Sequence, residues 1–404
     1  MNKSNLTYKN NIPKKILDNK SIKDLSRRYH SIFIDTVKDL NNPKKTLNVL
    51  NKNYKFNFKL KDLKKFKNFK KIAIIGMGGS ILGAQAIYSF LEKKIKKKIY
   101  FIDDIDEKKI SNLKKNENLS MILFIIISKS GNTVETLSNT FSLNIIKKNA
   151  KNIILISEKK NNYLFSLSKK FNLFHVEHKN FIGGRYSVLS EVGILPAYLM
   201  GLNILNLRSG ILNLKKKEKL FLKESATQIT SLHSVKKINN IVFLNYSPKI
   251  EKFLFWCQQL IAESLGKKGR GFFPVISNVP KDHHSLLQLY LDGPRDKLFH
   301  IFSLSEDTKE KINFKKNAIT NDYLDKKKLS TVKLAQKNAL VKVFQKKQIP
   351  FREFRINEIN EKTLGKLFSY FMYETIIIGK LIKVDPFNQP AVEQVKIYTK
   401  KLLS

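Results

Sequence analysis

Lys71-Ile72-Ala73-Ile74-Ile75 runs directly into Gly76-Met77-Gly78-Gly79-Ser80, and apolar residues at helical spacing then continue from Ile81 to about Glu92. Five residues with no polar alternation predict a strand covered on both faces. The glycines predict a tight turn whose backbone N–H groups approach a ligand, and the start of the following helix favours an anion there. A dinucleotide site is the rival, helped by Asp103 and Asp104 after the next apolar run. It fails because Ile81 stands where the fingerprint needs its third glycine. A plain strand-to-helix turn remains the minimal alternative.

The same grammar extends outward. Lys98–Ile102, Met121–Ile127, Asn152–Ile156 and Asn172–Val176 predict further strands. Helical patterns lie between them, as at Val134–Lys148, where Val134, Leu137, Phe141 and Ile145 share a face. Continuous apolar strands alternating with helices imply an α/β fold built on a doubly wound parallel sheet in three layers. A second unit of the same class begins near Arg208, with strands at Asn240–Asn245, Leu298–Ser303 and Gln348–Ile356. It closes with a long apolar helix, Leu364–Ile382, and a terminal helix near Val392–Leu403. Lysine-rich Leu214–Leu220 reads as a surface helix or hinge. The expected organisation is a helical N-terminal segment over 1–50, a first α/β domain over 51–207 carrying phosphate-binding loops, and a second over 208–404 with C-terminal helices.

A chain of 404 residues, 42% hydrophobic, has enough apolar side chains for such a core. Its single cysteine, Cys257, precludes an intrachain disulfide and fits a reducing compartment. The first residues lack a signal-peptide apolar stretch, Met121–Ile127 is too short for a membrane span, and Val192–Leu207 is broken by Pro196 and Gly201. A cytoplasmic location with no membrane association is expected. The net charge of +43 invites a nucleic-acid reading, yet only eight of 76 basic residues are arginine. Bidentate grip on phosphates and base edges favours arginine, so no specific nucleic acid is expected.

Ser128-Lys129-Ser130-Gly131-Asn132-Thr133 follows the apolar run ending at Ile127. One reading is helix capping, with Asn132 and Glu135 as a capping box. The other is a phosphate cradle formed by the hydroxyls of Ser128, Ser130 and Thr133 with the backbone N–H groups. This loop and the glycine turn sit at the carboxyl ends of parallel strands, where ligands bind in open α/β sheets. His175-Val176-Glu177-His178 is not read as a metal site, because alternate strand residues diverge. Cys257, among apolar neighbours, is read as core filling.

The two loops resemble the sugar-isomerase (SIS) domain. Phe181-Ile182-Gly183-Gly184-Arg185-Tyr186-Ser187 and Asp385-Pro386-Phe387-Asn388-Gln389-Pro390-Ala391-Val392-Glu393-Gln394-Val395-Lys396 resemble two signatures of the glucose-6-phosphate isomerase family. Glu263-Ser264-Leu265-Gly266-Lys267, followed by Asp282-His283-His284-Ser285, is similar to its short bacterial branch. Ala391 departs from the family's usual glycine. The resemblance implies two SIS-like domains and reversible aldose–ketose isomerisation of glucose 6-phosphate and fructose 6-phosphate, through ring opening and an enediolate. That chemistry needs a base, an acid and positive charge, with no metal or redox cofactor. The resemblance makes Glu263 the base, with Asp282 as rival, and His284 the ring-opening group. Arg185 would hold positive charge near the enediolate, and Lys396, the lysine that ends the second signature, joins the catalytic residues around the sugar carbons. Gly79, Ser80, Ser128, Lys129, Ser130 and Thr133 would hold the phosphate of a hexose 6-phosphate, and Gln389 the sugar. It also implies a homodimer completing the site across its interface. Gln389, Glu393 and Lys396 share a face if Pro390 opens the last helix. A sugar-phosphate-binding regulator, a nicotinamide-dependent dehydrogenase and additional use of mannose 6-phosphate stay open.

Overall fold

The structure is a computed structural model and describes residues 5–211, 216–305, 308–313 and 323–403. Strands β1 (Leu6–Asn11), β2 (Lys71–Ile75), β3 (Lys98–Ile102), β4 (Ile122–Ile127), β5 (Ile153–Ser157), β6 (Phe174–Glu177), β7 (Asn240–Asn245), β8 (Phe273–Asn278), β9 (Lys297–Leu304) and β10 (Phe351–Ile356) form two sheets. The first has the order β3-β2-β4-β5-β6, parallel throughout. The second has the order β1-β10-β9-β7-β8, parallel except for β1.

Strand order explains the uninterrupted apolar runs. In β2, Ile72 and Ile74 enter one core while Ala73 and Ile75 enter another, all at 0% exposure. Because both faces are covered, no polar residue interrupts the run. The second sheet repeats the device, with Ile241 and Phe243 on one side and Val242 and Leu244 on the other.

One continuous core spans the facing sides of the two sheets and takes in the Pro248–Leu265 and Glu361–Leu381 helices. The first of these packs against Leu82–Leu91, the helix after β2. A helix from the second half therefore lies beside the carboxyl ends of the first sheet's strands, and this contact positions the site.

Several elements differ from expectation: the helix expected over Val134–Lys148 ends at Ser142, with Ile145 beyond it and Phe141 exposed, so the face that it buries is formed by Thr136, Asn139 and Thr140. The first 50 residues do contain a long helix, Asn19–Asn41, capped by Asp18. They also supply β1, whose Leu6 pairs with Ile356 at the edge of the second sheet, so the segment is not purely helical. Strand β8 carries Pro274, tolerated because β8 is an edge strand. Val192–Leu207 is largely buried but divided into the Glu191–Leu199 and Ile204–Ser209 helices, with Gly201 left-handed between them (φ +91°). In the lysine-rich Leu214–Leu220, residues 214 and 215 lie outside the described residues, and a helix, Lys216–Lys236, includes the rest. Among the described residues, no helix is long and apolar enough to cross a membrane.

Candidate active site

The glycine turn after β2 is a contact between backbones. A Cβ on Gly79 would lie 2.2 Å from the carbonyl carbon of Gly184, and one on Gly78, which is left-handed at φ +50°, would lie 2.7 Å from Nε2 of Gln259. Three segments therefore meet at the carboxyl end of β2: the turn itself, Gly183-Gly184-Arg185, and the Pro248–Leu265 helix. Ser187 Oγ reinforces the meeting by donating to Gly79 O at 3.4 Å and Gly184 O at 2.7 Å. Ser80 is half-buried in the same turn.

Next along the sheet, the loop after β4 turns its hydroxyls toward one another. Ser128 Oγ lies 2.8 Å from Thr133 Oγ1 and 3.5 Å from Ser130 Oγ, and it accepts from Gly131 N at 3.1 Å. Gly131 is left-handed (φ +69°), with Asn162 where a Cβ would stand. The expected capping box is not what forms. The N-cap of the Val134–Ser142 helix is Thr133, with no side-chain cap bond, and Asn132 Oδ1 accepts from Tyr163 N at 2.8 Å instead. The first turn of that helix thus keeps backbone donors beside three hydroxyls, an arrangement suited to an anion. Lys129 reaches away from the loop: its Nζ donates to Asn180 O at 2.7 Å and stands 3.7 Å from Glu158. Burial lowers its pKa, against the pull of Glu158.

Arg185 is the hub. It lies on the short helix Gly184–Leu189, is 1% exposed, and its five N–H donors find five acceptors. Nε donates to Ser264 Oγ at 2.8 Å; Nη1 to Glu263 Oε2 at 3.1 Å and Gln389 Oε1 at 2.7 Å; Nη2 to the carbonyls of Pro386 at 2.7 Å and Asn388 at 3.1 Å. Trp256 Nε1 donates to the carbonyl of Arg185 at 3.1 Å, which fixes the backbone. Tyr186 OH sits 2.8 Å from Ser264 Oγ and donates to Pro386 O at 3.0 Å. The other oxygen of Glu263 accepts from Gln259 Nε2 at 2.8 Å. The Glu263 side chain is nonetheless about one-third exposed, at 32%. It opens on a cleft of about 560 Å³ lined by Gly266, Lys267, Asp385, Asn388 and Gln389 among others.

Lys267 is a neighbour that sequence reasoning quoted but gave no role. Its Nζ donates to Ser264 O at 3.0 Å and Asp385 O at 2.5 Å, tying the end of the Pro248–Leu265 helix to the loop that carries Gln389. Burial, aided by the Arg185 charge, lowers its pKa to about 8. Gln259, Ser264 and Tyr186 were also missed. Spacing alone offered one clue, because Gln259 precedes Glu263 by one helical turn.

Two expected residues stand apart within the chain. Pro390–Val392 forms a separate 3-10 turn and the last helix starts at Glu393, so the face predicted for Gln389, Glu393 and Lys396 is broken. Gln389 turns back to Arg185, while Lys396 is 65% exposed and pairs with Glu393 at 2.8 Å. His284 is exposed on the His283–Asp292 helix after edge strand β8; its neighbour His283 instead meets Tyr246 OH at 3.2 Å. The rival base Asp282 accepts from Asn278 N at 2.7 Å and serves the turn after β8. His175 Nε2 lies 3.0 Å from Ser157 Oγ, whereas His178 Nδ1 lies 3.0 Å from Lys179 O. Cys257 is fully buried, and burial raises its thiol pKa far above the ordinary value.

A family model described as phosphoglucose isomerase matches residues 18–272. The chain is 36% identical over 388 residues to a probable glucose-6-phosphate isomerase of Methanococcus maripaludis, covering 90% of this chain and 84% of that one. It is 32% identical to the glucose-6-phosphate isomerase of Methanocaldococcus jannaschii, covering 82% and 84% respectively. In fold, it is similar to the crystal structure of a glucose-6-phosphate isomerase from Chlamydia trachomatis, with a TM-score of 0.79 at 15% identity over 99% of this chain and 88% of that one. The extent of these sequence matches leads to one conclusion: the chain belongs to the phosphoglucose isomerase family.

Proposed function

We propose that the chain interconverts glucose 6-phosphate and fructose 6-phosphate at the cleft beside Glu263, a step of glycolysis and gluconeogenesis. The observation that carries this reading is the convergence of one carboxylate, one buried guanidinium and one amide, Glu263, Arg185 and Gln389, held from three distant parts of the chain.

The phosphate would rest against the Ser128–Thr133 loop and the Gly79-Ser80 turn, where hydroxyls and the first backbone N–H groups of the Val134–Ser142 helix supply donors. With the sugar ring open, Glu263 removes the proton from C2 of the aldose. The C–H electron pair forms the C1–C2 double bond, and the carbonyl oxygen on C1 gains negative charge. Arg185, already fixed by its five acceptors, needs no reorganisation to face that charge. Gln389 aligns the sugar hydroxyls. A proton passes from the C2 hydroxyl to the C1 oxygen, and returning the carbon-bound proton from Glu263 to C1 then leaves a carbonyl at C2, the ketose. Glu263 ends as it began, and no oxidant, reductant or metal enters the balance.

Ring opening needs an acid–base group, for which His284 and Lys396 are the candidates. Neither touches the Glu263 cluster within one chain. The last helix, Glu393–Leu403, buries none of its residues and exposes Val395, Ile397, Tyr398, Leu402 and Leu403. A homodimer in which a second copy covers this helix and supplies its own His284 accounts for both facts. A cytoplasmic location is part of the same proposal.

The test is a coupled assay from fructose 6-phosphate. Turnover in the wild-type chain, with kcat reduced roughly 10²–10⁴-fold in Glu263→Gln, is the expected result. A chain that binds hexose 6-phosphate without turning it over is a sugar-phosphate-binding regulator, and the isomerase reading is then wrong.

A further inference from the structure

A second crevice, of about 470 Å³, lies at the amino end of the second sheet, beside Asn239 just before β7. Arg28 of the Asn19–Asn41 helix, His233 near the end of the Lys216–Lys236 helix, Arg270 and the stretch from Leu381 to Lys383 wall it. Arg28 Nη2 donates to the carbonyl of Leu381, and Arg270 Nη1 to that of Ile382 at 2.6 Å. Two guanidinia are thus brought onto adjacent carbonyls in a chain that has only eight arginines. Among the described residues each guanidinium donates that one hydrogen bond, which leaves most of its N–H groups for a ligand.

Positive charge is in surplus there. Residues 20–30, 230–242, 265–273 and 378–386, the segments around the crevice, are all described, and their carboxylates are Asp24 and Asp385. Asp24 Oδ2 stands 4.0 Å from Arg28 Nη1, with its side chain 63% exposed, and the Asp385 carboxylate instead accepts from Phe387 N at 2.9 Å. Asp296, whose carbonyl holds Asn239, gives its carboxylate to Lys297 and Asn240. Arg28, Arg270 and Lys383 therefore line the crevice with one exposed carboxylate beside them. The carboxyl end of the Glu361–Leu381 helix carries about half a negative charge, which a single cation would answer. Three cations exceed what capping requires.

Both walls run on into the Glu263 cleft. Lys267 and Arg270 close a tight turn on each other, Lys267 N donating to Arg270 O at 3.1 Å and Arg270 N to Lys267 O at 2.9 Å, with Gly269 left-handed (φ +68°) between them. One end of this turn lines the crevice; the other is Lys267, which holds Ser264 and Asp385 at the cleft. On the opposite wall, Lys383 leads through Val384 into the loop whose Pro386 and Asn388 carbonyls and Gln389 side chain hold Arg185. We propose that the crevice is an effector site for a small phosphate dianion, free or as an ester, which bridges Arg28 and Arg270 and braces the two segments that wall the cleft. Its volume lies within the roughly 300–1,000 Å³ of ordinary ligand pockets. Paired guanidinia suit the oxygens of such a group. Binding does not depend on the isomerase reading; the effect on turnover rests on it.

Crystals of the full chain soaked in tungstate, a heavy phosphate mimic, should show an anion between Arg28 and Arg270 that is absent from Arg28→Gln. In solution, inorganic phosphate should slow amide hydrogen exchange over residues 266–271 and 381–389 by about fivefold in the wild type and not in Arg28→Gln. At saturating fructose 6-phosphate, where phosphate no longer competes for the cleft, it should raise kcat by about twofold in the wild type alone. Arg28 does not reach the cleft, so without phosphate the kcat of Arg28→Gln should stay within about twofold of wild type. Should that variant fail to fold, Lys383→Gln should weaken phosphate binding about tenfold, because a close charge is lost. Titration with glycerol 3-phosphate separates the sources: tighter binding than inorganic phosphate identifies an ester, equal or weaker binding the free ion. An empty crevice, a peak that persists unchanged in the variants (an adventitious ion only), or a filled crevice that leaves exchange or, in an active chain, kcat unchanged overturns the proposal. Slowed exchange in a chain that turns over no hexose phosphate upholds the crevice and counts against the isomerase reading alone.

Discussion

Arg185 illustrates how much one residue carries. Its guanidinium joins the Gly183–Ser187 segment, the end of the Pro248–Leu265 helix and the Pro386–Gln389 loop. Lysine has three donors on a flexible stem and cannot reproduce that geometry. Arg185→Lys is expected to cost roughly 3–5 kcal/mol, the usual penalty for breaking a buried charged network, read as a fall in unfolding midpoint together with loss of turnover. Lys267 gives a pH prediction. Burial lowers its pKa to about 8 from 10.5, so the fold disfavours its charged form. That cost is complete below about pH 8 and fades as pH rises toward 10.5, while the positive charge at the cleft is lost over the same window. kcat/KM is therefore expected to fall above pH 8, and Lys267→Arg should move that limb upward; a limb that stays put would show that another group sets it. The Gly-Gly-Arg and Glu-Ser-Leu-Gly-Lys stretches were legible in sequence, but Lys267 was lost among its many fellow lysines. No spacing rule links Gly78 with Gln259, 181 positions apart, whose contact explains why that glycine is required.

At the scale of elements, burial decided what could be read. Strands β2, β3 and β7 were predicted with the bounds they have. β2 and β7 announce themselves through runs that are apolar on both faces. β1 and β8 were missed because they are edge strands: β1 buries only Leu6 among LTYKNN, and β8 includes Pro274. Edge pairing gives a test of β1. Deleting residues 1–12 would expose the unpaired edge of β10 and should yield a chain that self-associates, detected by light scattering. A monodisperse, fully stable product would contradict the assignment. The glycine turn gives another. Gly79→Ala would force backbone against backbone and is expected to cost about 1–3 kcal/mol, lowering the melting temperature and separating the turn from Arg185.

For the whole molecule, the two sheets act through a shared core, and the second half delivers Glu263 to the strand ends of the first. The α/β class and the pairing of two similar sheets followed from alternating apolar runs. How the halves meet did not, because helix-to-helix contact between distant segments leaves no periodic trace. Nor was the exposure of Lys396 visible, since a local turn at Pro390–Val392 redirects the chain. The net charge of +43 acts at this scale too. A phosphorylated substrate should be drawn to such a field, so kcat/KM is expected to decline as salt rises from about 0.01 M to 0.15 M, where the screening length shrinks from about 30 to 8 Å. Turnover indifferent to salt would mean that the scattered lysines do not steer substrate.

The proton carried by Glu263 is open to direct observation. In deuterated water, NMR of the hexose phosphates during turnover should show deuterium entering at C2 of glucose 6-phosphate and C1 of fructose 6-phosphate, with the incorporation abolished in Glu263→Gln. Incorporation that continues undiminished in that variant would place the base elsewhere and contradict the account.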